Sequence, residues 1–255
     1  MNRKEHDTLK AAIGTGPGKV ESRRDFTHYH FDRPNLPCIF DWEYFSTMND
    51  LQQLRQRIDG FLTVDSFFAA AADWPLLELV PHRQQADWDW LPGFLSSVPN
   101  SDWLPQVVST VDVTALRAGL LLMHDFVEES HRDSQSIEGR GEHQLGDYWH
   151  AILHRREPDY VNAKYWFRQI GSQQGFAELA RHAAARLDAC PSSRSLDWRN
   201  RLGCPQQWKP LSFVDLCESC QSANDPDLMQ AAREIQRAEM LLLFRQTYRQ
   251  ATGAE

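Results

Sequence analysis

The chain has 255 residues, 42% hydrophobic and 24% charged, with a formal net charge of -8 at neutral pH. That length buries a core without a disulfide or metal staple, and the composition excludes whole-chain disorder. The acidic balance excludes a broad nucleic-acid surface, which needs a contiguous basic face to displace counterions.

The first 35 residues combine Gly14, Gly16, Pro17 and Gly18 with paired charges such as Arg23-Arg24 and show no periodicity. They are predicted to be a mobile arm preceding a single α-helical domain over residues 36–255. They lack the apolar core of a secretory leader. The longest apolar runs, Gly119 to Met123 and Met240 to Phe244, fall far short of the roughly 20 residues of a membrane span. With five scattered cysteines, these features predict a cytoplasmic protein with reduced thiols that binds neither membrane nor nucleic acid.

Leu51, Leu54, Ile58 and Phe61 recur at helical spacing and predict a helix from Met48 to Phe61, capped by Asn49 or Asp50. A second helix is expected from Asp65 to Ala72. From Trp74 to Asp112, prolines and tryptophans allow only short helices, and Leu77 to Val80 reads as the one candidate strand. Six of the nine tryptophans follow an aspartate, as in Asp87-Trp88, Asp102-Trp103 and Asp197-Trp198. The expectation is turns opened by the acid and anchored by the indole.

Residues 113–171 hold two predicted helical hairpins. Ala163 follows Ser130 by thirty-three positions, Ala151 follows Ala118 and Pro158 follows Asp125 by the same step, close to the period of tetratricopeptide units. Asp159, Tyr160, Ala163 and Phe167 occupy that repeat's turn, small and aromatic positions. Only two units are visible, which predicts stacked hairpins rather than a solenoid. Beyond them, Phe176 to Leu187 and Phe213 to Cys220 read as helices. Asp225 as cap and Pro226 at the first helical position open a long last helix.

Each hairpin carries a polar stripe. His124, Glu128, His131 and Gln135 share one face, and Asp147, His150, His154 and Glu157 share another. The tetratricopeptide register would place His150 and His154 in the core. The apolar pattern of Trp149, Ile152 and Leu153 turns them instead toward a groove or solvent, and the second register is the expectation here.

The stretch Tyr148-Trp149-His150-Ala151-Ile152-Leu153-His154-Arg155-Arg156-Glu157-Pro158-Asp159, followed by Asn162-Ala163-Lys164-Tyr165-Trp166-Phe167-Arg168, resembles a block found in a family of uncharacterised bacterial proteins. Phe213 to Cys217, Gln236 and Glu239 are similar to that family's C-terminal region. The resemblance covers Leu116 to Gly171 and the last helices, and implies a shared site without naming a reaction.

Three readings of this segment stand. Glu128-x-x-His131 and Asp147-x-x-His150 have the carboxylate–histidine spacing of metal sites in helical bundles, and His150 with His154 could chelate at i, i+4 with Glu157 or Asp147 as further ligand; zinc, iron or manganese would be the ion. A metal-free enzyme would use His131, His150, His154 and Glu128 for proton transfer, with Arg155 and Arg156 holding a small polar, anionic substrate. The third reading is a helical-repeat-like binding or scaffold module for a protein or peptide, with solvated or paired stripes. It is the primary expectation, and the enzyme is its alternative. Cys217 and Cys220 have the spacing of half a zinc site but are read as inert core thiols. The predicted fold is all-α: an irregular N-terminal half, two hairpins and C-terminal helices.

Overall fold

The computed structural model describes residues 42–62, 76–81 and 86–254. The arm predicted for residues 1–35 and the helix expected from Asp65 to Ala72 lie outside these residues. Among the described residues the fold is all-α, with eleven helices.

Helix α1 (Trp42–Leu62) buries Leu54, Ile58 and Phe61, the stripe read from their spacing. A 3-10 turn (Ala86–Trp88) and two short helices, α2 (Leu91–Ser97) and α3 (Asn100–Trp103), follow. The candidate strand at Leu77 to Val80 does not form. Residues 76–81 have no sheet partner among the described residues; Leu77 and Leu79 are buried, and side chains take the place of a neighbouring strand. Arg233 donates to the carbonyls of Leu76 and Leu77, and Arg156 and Gln236 donate to that of Glu78. Backbone acceptors near a core require such partners.

The centre comprises two helix pairs. In the first, α4 (Thr110–Met123) is capped by the Ser109 hydroxyl, which accepts the Asp112 amide at 3.2 Å, and packs on α5 (Val127–Ser136). The turn between them passes through Asp125 at φ 66°, a left-handed conformation that aspartate tolerates better than most residues. The second pair is α6 (Leu145–Arg156) and α7 (Tyr160–Phe167), the latter capped by Asp159, whose carboxylate accepts the Asn162 amide at 3.1 Å. Ala118 and Ala151, and Ser130 and Ala163, matched by the thirty-three-residue step, are all fully buried.

The C-terminal part contains α8 (Phe176–Asp188), α9 (Ser195–Arg201), α10 (Pro210–Ser222) and α11 (Pro226–Thr252). Helix α11 starts as its sequence dictates: Asp225 accepts the Leu228 amide at 3.1 Å, and Pro226 stands where no amide donor is needed. It packs on α4, α8 and α10. No helix among the described residues is long and apolar enough to cross a membrane.

Candidate metal centre

Helix α6 is central: it packs on α4, α5 and α7, and all twelve of its residues are buried. This corrects the expected register. His150 and His154 do not face a groove or solvent; they are 2% and 5% exposed. The apolar stripe misleads because a helix enclosed on all sides has no solvent face to which polar residues can be assigned.

His131 reaches the same place from α5. The neighbouring Ser130 hydroxyl donates to the Ala118 carbonyl on α4 at 2.8 Å, drawing α5 onto α4 and fixing the rotation that aims His131 at α6. One nitrogen from each of His131, His150 and His154 lies within 4.8 Å of the others. The ring centroids of His131 are 4.9 Å from His150 and 5.1 Å from His154, and those of His150 and His154 are 4.6 Å apart. Trp166 of α7 backs the group, its ring 4.2 Å from His150.

The hydrogen-bond state of the rings is informative. Among the described residues, neither nitrogen of His150 has a hydrogen-bond partner, although both are buried. Such a group loses hydration without compensation. Burial, reinforced by His154 and His131, pushes its pKa down to about 3, so its ring is neutral at neutral pH with a lone pair available. On His154, the Asn162 side-chain amide lies 3.1 Å from Nε2. Nδ1 is 3.0 Å from Glu157 Oε2, but off the hydrogen-bonding direction. Three imidazoles at this spacing suit a borderline transition-metal ion such as zinc, cobalt or iron better than a hard cation. The C-terminal end of α6, with its partial negative charge, adds a favourable field for a cation.

The other sequence-derived residues divide sharply. Glu157, at the C-cap of α6, touches the histidine group through His154. Glu128 is exposed and outside the convergent set. Both carboxylate oxygens of Asp147 accept the Gly139 amide at 3.1 Å, which pins the α5–α6 loop, and burial raises its pKa.

Arg155 and Arg156 are not placed to hold a substrate anion; they are 1% and 0% exposed. Arg155 lies 2.6 Å from Glu239, with both side chains fully buried, and its guanidinium stands 4.5 Å from the Phe213 ring. Arg156 lies 2.6 Å from Asp125 and donates to the Leu122 carbonyl at 2.8 Å. Buried guanidinium groups need fixed carboxylates, and these two found theirs inside the protein. Cys217 and Cys220 are buried with free thiols pushed up to about 12 by desolvation, and neither joins a metal-ligand group among the described residues.

Sequence reasoning did not assign Asn162 or Trp166 to the site. Both lie across the α6–α7 turn, so their proximity to His154 and His150 follows from how that hairpin closes, not from spacing within one helix. No family model, curated protein or solved structure matches the chain.

Proposed function

We propose that the protein binds one divalent transition-metal ion between α5 and α6 through His131, His150 and His154. The observation that carries this reading is the convergence of three imidazoles in a buried place where both His150 nitrogens lack a hydrogen-bond partner among the described residues. Ligand atoms at about 2.0–2.1 Å from a tetrahedral ion stand roughly 3.3 Å apart. Side-chain rotations would close the present spacing to that distance. Of the metals considered from sequence, zinc and iron fit three neutral nitrogen donors better than manganese does.

Elemental analysis of protein purified without chelator, followed by zinc titration of the stripped protein, tests this proposal. One equivalent should bind, and at a free concentration one hundred times Kd it should stabilise the fold by about 2.7 kcal/mol. His150→Ala should abolish stoichiometric binding. His131→Ala, at a half-buried position less critical to packing, should weaken it at least tenfold with the far-UV spectrum unchanged. Failure of the wild-type chain to bind zinc, cobalt or iron overturns the reading.

A second reading, the protein- or peptide-binding module, draws support from Val161 and Tyr165. They lie one turn apart on α7 and are 83% and 50% exposed. Recovery of a partner that Tyr165→Ser loses, by a chain that binds no metal, would favour it.

A further inference from the structure

We propose, resting on the three-histidine reading, that Glu157 is the fourth ligand of the ion and the one that exchanges with solvent. Two observations independent of the imidazole cluster support this. First, Glu157 Oε2 lies 3.0 Å from His154 Nδ1 without occupying its hydrogen-bond axis. Two atoms bound side by side to one ion at about 2.0–2.1 Å are separated by roughly 3.0–3.4 Å. The oxygen has that separation from the nitrogen and lies beside it, outside the three imidazoles that already converge, and rotation of the Glu157 side chain would bring it onto the ion.

Second, the wall of the site is asymmetric. His150 and His154 are closed in by protein and His131 is half-buried, whereas the Glu157 side chain is 32% exposed and lines an open depression with Val80, Val127 and Asp159. Of the four residues only Glu157 lines that depression, so it is the one that joins the imidazole group, through His154, to solvent.

The partner of the other His154 nitrogen fits the same assignment. With Nδ1 on the ion, Nε2 carries the proton and needs an acceptor. The Asn162 amide, 3.1 Å away, supplies its carbonyl oxygen when turned over. A metal-bound histidine commonly has such an orienting partner. The filled site would then be three neutral imidazoles and one carboxylate. The carboxylate would be the labile ligand, and its place would be open to a small exogenous anion when it swings away.

Cobalt(II) as a visible-absorbing probe tests this on the full chain, with azide as the competing anion. The wild-type protein should give a tetrahedral cobalt spectrum insensitive to millimolar azide. Glu157→Ala should bind cobalt about 10–100-fold more weakly, and azide should shift its spectrum by filling the vacated position. Glu157→Asp should restore part of the affinity and the azide resistance. Wild-type-like affinity and spectrum in Glu157→Ala, without an azide response, would overturn the assignment of Glu157 while leaving the three-histidine site standing. Absence of a cobalt spectrum in the wild-type protein would remove both.

Discussion

His124, although part of the same sequence stripe as His131, is a structural residue. It is fully buried, its Nδ1 lies 2.7 Å from the Leu120 carbonyl, and its ring stacks 4.2 Å from Trp88. Desolvation lowers its pKa to about 4; the Leu120 carbonyl opposes the shift, and Arg57 adds to it. In the unfolded chain the group titrates near its ordinary value of about 6.5, so on acidification the unfolded state takes up the proton first. The contribution to stability is thus fully present above pH 6.5, declines as pH falls toward 4, and is flat below. On the order of 3 kcal/mol is at stake. His182, also lowered to about 4 by burial, acts in the same direction. Urea unfolding at pH 7 and pH 4.5 should show this loss, and His124→Phe, which keeps a ring against Trp88, should make the pH dependence shallower. An unchanged slope would mean that the buried imidazole does not govern it.

At the scale of elements, the spacing of α4 and α6 rests on one missing side chain. A β-carbon at Gly119 would lie 2.6 Å from Trp149 Cε2 and Cζ2 and 3.0 Å from its Nε1, and that same nitrogen donates a 3.1 Å hydrogen bond to Thr247 of α11. Displacing the indole would disturb that bond. Gly119→Ala should therefore cost about 2 kcal/mol through overpacking, despite alanine's better helix propensity, and should be read from the urea midpoint. A stabilised variant would show that α6 can shift.

This close approach also explains which parts of the molecule the sequence disclosed. Caps and breakers are local, so Asp225 and Pro226 announced the start of α11, Asp159 and Tyr160 marked a turn, and the four-residue step from His150 to His154 announced their common face. Which way that face points is set by α4, α5 and α7 together. Helix α6 carries apolar residues on one side and polar residues enclosed by protein on the other, so its amphipathic pattern marks two buried surfaces. For the same reason, Arg155 and Arg156 read as cations free to hold a substrate anion until Glu239 and Asp125 are brought to them.

For the whole molecule, the Arg155–Glu239 pair joins the central hairpins to the C-terminal helix. Glu239 also accepts the Tyr148 hydroxyl at 3.1 Å, and all three side chains are buried. Removing one member strands the opposite charge in a medium that cannot solvate it, whereas replacing both charges removes the difficulty. Glu239→Leu alone should cost about 3–5 kcal/mol, and Arg155→Met combined with Glu239→Leu should recover much of that loss. A double-mutant cycle in urea measures the coupling. Additive losses would show that the two charges act separately.

The segment at Leu76 to Glu78 bears on how the chain is made. Its carbonyls are held by donors from the middle and the far end of the sequence; Arg233, for example, follows Leu77 by 156 residues. At a translation rate of about 5–20 residues per second, that helix leaves the ribosome roughly 10–30 s after the segment it must grip. Throughout that interval, the carbonyls of Leu76 and Leu77 on the nascent polypeptide lack the Arg233 donors that hold them in the completed fold.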